Sequence, residues 1–96
     1  MYAKVEKQMR RVVKANGFKL GSHAANALRD DHFTTKDVMH CFSHGNIVSD
    51  QYDPEFDDVK YEWRGECSDG REMAMIAKFT YSGNVFIITV FSFDLD

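Results

Sequence analysis

The chain has 96 residues, with 44% apolar and 14% aromatic side chains and a formal net charge of −3. That length fits one domain with one core, and the single proline and lack of low-complexity tracts exclude a mainly disordered chain. No apolar run reaches the roughly 18 residues needed to span a membrane, and an acidic balance argues against a protein that coats nucleic acid over its whole surface.

The charge is unevenly placed. Residues 1–20 carry Lys4, Lys7, Arg10, Arg11, Lys14 and Lys19 against Glu6 alone, a net of +5, and residues 21–96 carry a net of −8. The start is charged where a secretory leader would be greasy, and two cysteines, Cys41 and Cys67, make no disulfide framework. The expectation is a cytoplasmic protein with both thiols reduced.

A first helix is expected from about Tyr2 to Ala15. Val5, Met9, Val12 and Val13 recur at three- and four-residue steps on one stripe, and Lys4, Lys7, Arg11 and Lys14 follow the same period on another. Asn16-Gly17 ends it. Ser22 reads as the N-cap of a short second helix through Leu28, and Thr34 or Thr35 as that of a third. The third is expected to bury Val38, Met39 and Phe42 and to stop near Gly45.

Beyond Gly45 the period falls to two. Asn46 to Ser49 reads as a short strand, Asp50 to Asp58 as an acidic loop, and the alternation around Val59, Tyr61 and Trp63 as a half-buried strand. Ser68-Asp69-Gly70-Arg71 predicts a hairpin turn with two positive φ angles. Met73 to Tyr81 and Val85 to Phe91 complete the sheet, the latter apolar enough for its interior. The expected fold class is α+β: two to three N-terminal helices packed on a four-stranded antiparallel sheet, with an edge strand near Ile47. The whole chain, 1–96, reads as one domain, with 1–20 a basic helix and turn and 22–93 the core.

Four sets of side chains carry candidate chemistry. His23 stands at a helix start, where a neutral imidazole can take a proton from a ribose 2′-hydroxyl and a charged one can return it to a leaving oxygen; a surface histidine is the plainer reading. His40 and His44 share a helix face and invite a metal, but Cys41 follows His40 where zincins carry glutamate, so no metal and no cofactor are expected. Lys60, Arg64, Arg71, Lys78, Tyr81 and Thr89 on the strands offer cations and hydroxyls for phosphate chemistry, as any solvated sheet also does. The basic stripe of the first helix suits a phosphate backbone, an acidic partner, or plain solvation.

Ser22-His23-Ala24, Leu28, Phe33-Thr34, Asp37-Val38, Asn46-Ile47, Tyr61, Asp69-Gly70-Arg71 and the closing Val85-Phe86-Ile87-Ile88-Thr89-Val90-Phe91 together resemble a family of small bacterial and phage proteins, domain of unknown function 4258. That family resembles the RelE-type toxin fold, grouped with metal-independent ribonucleases such as barnase and colicin nucleases. The resemblance implies a RelE-like core and a toxin-like endoribonuclease acting through 2′-hydroxyl attack. His23 would be its acid or base, Arg71 and Lys78 its phosphate-stabilising cations, and Lys7, Arg11 and Lys14 its RNA-backbone contacts. RNA and an antitoxin or other protein are the implied partners of a monomer or homodimer. The family tends to carry arginine four and eight residues after its histidine. Here those positions are Ala27 and Asp31, which also fits a non-enzymatic protein-binding module on the same fold.

Overall fold

The computed structural model describes residues 1–93. Three helices, α1 (Ala3–Asn16), α2 (Ser22–Asp30) and α3 (Thr35–His44), combine with five strands, β1 (Phe18–Leu20), β2 (Asn46–Asp53), β3 (Asp58–Glu66), β4 (Glu72–Phe79) and β5 (Val85–Ser92). The fold is α+β, and its sheet runs β1-β5-β4-β3-β2. The four antiparallel strands expected from sequence form the meander β2 to β5, but the sheet is mixed. Phe18, Lys19 and Leu20 pair in parallel with Val85, Phe86 and Ile87. A three-residue strand that pairs far along the chain leaves no periodicity and no hairpin turn to reveal it.

All three helices pack on one sheet face. Met73, Met75 and Ala77 of β4, Val85, Ile87 and Val90 of β5, and Trp63 of β3 are buried beneath Met9, Val13, Ala24, Leu28, Val38 and Phe42. Trp63 meets Phe42 edge-on at 5.0 Å between ring centroids, and its indole N–H donates to the Met9 sulfur at 3.3 Å. No helix among the described residues is long and apolar enough to cross a membrane.

Local details correct the sequence reading. Ser22 is the first residue of α2, not its cap. Gly21 holds the cap position and donates its N–H to the Ile87 carbonyl at 2.9 Å, so β1 runs straight into the helix. Thr34 does cap α3, in a reciprocal box with Asp37. Met39 is exposed, because it points away from the stripe that buries Val38 and Phe42. The stretch read as an acidic loop is mostly strand: β2 continues to Asp53, which pairs with Asp58 across a tight turn. At the Asp69-Gly70 turn only Gly70 has a positive φ, +90°, so this is not the expected double-positive hairpin turn.

Two charged residues of α1 tie the helix to the α3–β2 corner. Glu6, buried, accepts the Ile47 N–H at 2.8 Å. Arg10 donates to the carbonyls of Phe42 and Gly45, each at 2.6 Å, satisfying orphan acceptors at the end of α3. Replacing Glu6 with alanine leaves the Ile47 amide buried without a partner and is expected to cost about 1–3 kcal/mol. Urea denaturation checks this, with Glu6→Gln expected to lose less because it keeps an acceptor.

Candidate nucleic-acid interface

Burial of Met9 and Val13 and the tethers at Glu6 and Arg10 fix the rotation of α1. At 100° per residue, Lys4, Lys7, Arg11 and Lys14 then fall together on the opposite, solvent side, and all four are exposed. Lys4, Lys7, Gln8 and Arg11 line one shallow surface groove. Among the described residues none of the four cations has a carboxylate within salt-bridge distance. The stripe runs along about 15 Å of helix, the reach of about four phosphates at 3.4 Å each. Lys7, Arg11 and Lys14, the RNA contacts expected from sequence, are thus brought onto one surface.

His23, Arg71 and Lys78 are not brought together. His23 is the second residue of α2 and is exposed. Arg71 lies in the turn between β3 and β4, and its guanidinium donates to the carbonyls of Asp31 at 2.8 Å and His32 at 2.9 Å, just past the end of α2. It also pairs with Asp69 at 2.9 Å and lies 4.5 Å from the Phe33 ring centroid. Hydrogen bonds from the Cys67 thiol and from Arg71 draw the Asp69 carboxyl down to about 2. Arg71 therefore already has a full set of partners and pins the turn to the α2–α3 junction. His23 and Arg71 stand near opposite ends of a helix about 13 Å long. Lys78 is at the far end of β4, seven residues or about 23 Å of strand from Arg71. It also projects from the sheet face opposite the helices, because Met75 and Ala77 take the core side.

That open face carries most of the other candidates, with its cations neutralised in place. Lys78 bonds Asp58 at 2.6 Å, Lys60 pairs with Asp53 at 3.3 Å, and Arg64 with Glu62 at 2.8 Å. Arg64 also lies 4.1 Å from the Phe93 ring centroid. Tyr81 is fully exposed on the β4–β5 turn, and Thr89 is half-buried on β5.

The histidine pair on α3 is real but small. His40 and His44 stack at 4.2 Å, with the His40 Nδ1 against the Glu66 carbonyl at 2.9 Å. No group of three or more His, Cys, Asp or Glu suited to a metal occurs among the described residues. Cys41 and Cys67 are buried and free. Burial, with a smaller contribution from Cys67, pushes the Cys41 thiol up to about 12, which makes it a poor nucleophile or metal ligand at neutral pH.

Sequence reasoning missed the structural use of Glu6, Arg10 and Arg71, and the continuation of β2. The backbone partners of the first three are carbonyls and an amide remote in sequence, which no motif announces. Beyond the buried Ile47 this edge strand is exposed from Val48 to Tyr52 and shows no apolar alternation.

The family model described as Domain of unknown function (DUF4258) matches residues 20–92. No curated protein and no solved structure matches the chain.

Proposed function

We propose that this chain, which belongs to the DUF4258 family, is a cytoplasmic RNA-binding module on a RelE-like α+β fold. In this reading Lys4, Lys7, Arg11 and Lys14 hold the phosphate backbone and the module does not cleave it. The carrying observation is the contrast in charge pairing among the described residues: the α1 stripe is exposed with no carboxylate in salt-bridge distance, and Lys60, Arg64 and Lys78 of the open sheet face are each matched to one. A metal-independent ribonuclease needs a base, an acid and a charge-stabilising cation around one phosphate. The separation of His23, Arg71 and Lys78 weighs against that toxin-like activity. The absence of arginine at Ala27 and Asp31 weighs the same way.

The test is fluorescence anisotropy with a labelled single-stranded RNA across a salt series. Four phosphate contacts give a log–log salt slope of about −3. The triple variant Lys7→Glu/Arg11→Glu/Lys14→Glu is expected to weaken binding at least about tenfold at low salt, since it replaces three attractive contacts with repulsive ones. Unchanged affinity in that variant would overturn the stripe as the RNA contact, and no RNA binding by the natural chain would leave an antitoxin or other protein as the partner. The same RNA incubated in chelator is expected to stay intact. Cleavage that leaves 2′,3′-cyclic ends and vanishes in His23→Ala would instead establish the endoribonuclease.

A further inference from the structure

The two edges of the sheet are built very differently. On one side β1 is a three-residue strand that leads directly into α2. On the other, β2 runs eight residues with β3 as its sole strand neighbour among the described residues, leaving one row of backbone amides and carbonyls unpaired by the sheet, apart from the Ile47 N–H that Glu6 accepts. Folded proteins usually blunt such an edge with lysine, proline or coverage by another element. Here Val48 to Tyr52 are all exposed and the strand contains neither lysine nor proline. Of the large apolar side chains exposed on the protein, Val48 (49%), Tyr52 (55%) and Phe56 (68%) cluster on β2 and its turn. Val48 sits at a register irregularity between Ile47 and Ser49, so it stands out of step with β3.

The charge of this edge selects its partner. Asp50, Asp53, Glu55, Asp57 and Asp58 crowd the strand and its turn, and no lysine or arginine occurs from 49 to 59. Lys60 and Lys78 compensate Asp53 and Asp58. Asp50, Glu55 and Asp57 have no cation within salt-bridge distance among the described residues. Among the described residues, Asp50 and Asp57 accept side-chain hydrogen bonds only from tyrosine hydroxyls, those of Tyr2 and Tyr52, each at 2.7 Å. Antiparallel pairing of β2 with β2 of a second copy would set these acids against one another, which is destabilising. The chain's own basic element is helix α1, held in place by Glu6 and Arg10, and it cannot serve as a strand.

We propose that β2 is a docking edge for an extended, lysine- or arginine-bearing segment of another protein, which adds to the sheet as a sixth strand. Its backbone would complete the β2 ladder, its cations would meet Asp50, Glu55 and Asp57, and its apolar residues would cover Val48 and Tyr52. This surface repels RNA, and the proposal stands independently of the α1 stripe.

The test uses an eight-residue peptide of alternating lysine and valine titrated into the isotope-labelled full chain. Amide shifts are expected along β2 and the flanking turn, and peptide affinity is expected to fall at least about tenfold in Gln51→Lys, which places the missing edge lysine. Tyr52→Lys is the second variant, should the first perturb the fold. The Lys7→Glu/Arg11→Glu/Lys14→Glu variant is expected to bind the peptide normally. Methylating alternate peptide amides is expected to abolish binding, because strand addition needs them. Equal binding of the methylated peptide, equal binding of a glutamate–valine peptide, shifts centred elsewhere, or no binding at millimolar peptide would each overturn the proposal. A concentration-dependent dimer dispersed by Gln51→Lys would overturn it in favour of a second copy.

Discussion

Gly45→Ala is expected to lower stability by about 3 kcal/mol or more, at the upper end of what overpacking costs. A Cβ at this position would lie 2.5 Å from the Arg64 carbonyl oxygen and 2.6 Å from that of Cys41. Both obstacles are backbone, so no side chain can swing away. The crossing is tight from the other side too: a Cβ on Gly65 would stand 2.9 Å from the Gly45 Cα and 3.3 Å from the Cys41 sulfur. Here the end of α3 lies directly on β3, and two facing glycines make room for it. Gly45 has φ −88°, which any residue tolerates, so the cost comes from space and not from backbone freedom. Gly70→Ala provides the contrast. That position has φ +90° and open space around it, and its replacement should cost only about 1–2 kcal/mol of left-handed strain. Denaturant midpoints of the two variants measure the difference, and equal losses would refute the steric account.

Asp37→Ala is expected to cost about 2–4 kcal/mol, combining a lost helix cap with orphaned donors. Asp37 is 4% exposed and closes the capping box by accepting the Thr34 N–H at 2.9 Å. Its other oxygen accepts the Ser68 N–H at 3.0 Å and the Ser68 hydroxyl. One carboxylate thus starts α3 and anchors the β3–β4 turn. Burial alone would push this carboxyl up, but the hydrogen bonds from Ser68 and Thr34 outweigh it and hold the group below its ordinary 3.8. A folded-state pKa below the unfolded one gives stability that is complete above about pH 4 and is lost as pH falls through the folded value. Asp69 adds in the same direction, being drawn down to about 2. Stability measured from pH 6 to pH 2 should show the gap between the natural chain and Asp37→Asn narrowing below about pH 4. A gap independent of pH would mean that the charge of Asp37 contributes nothing.

The helices were legible because their signals are local. The apolar stripe of α1 and the Thr34 cap of α3 are properties of consecutive residues, as is the presence of a turn at Gly70. The basic face of α1 follows from the same periodicity, so Lys7, Arg11 and Lys14 could be placed together on one surface. Features that depend on distant pairing stayed hidden. β1 exists only because β5 lies beside it, and β2 reads as loop from Asp50 on because that half of the strand carries no apolar alternation. Arg71 resembled a free cation until the carbonyls at the end of α2 were seen to hold it. The catalytic grouping combined His23 and Arg71, which lie in stretches that carry the resemblance, with Lys78, a cation read from the strands, and no local signal constrained their mutual distance.

The parallel pairing of β1 with β5 has a kinetic consequence. The meander from β2 to β5 assembles through hairpin contacts between neighbours, which close short loops. β1 must wait for the strand that follows α2, α3 and the rest of the sheet, and closing so long a loop costs the most chain entropy. Substitutions at Phe18 or Leu20 should therefore speed unfolding and leave the folding rate nearly unchanged. On a ribosome, the segment Phe18–Leu20 emerges early but gains its strand partner only after Val85–Ile87 has been synthesised.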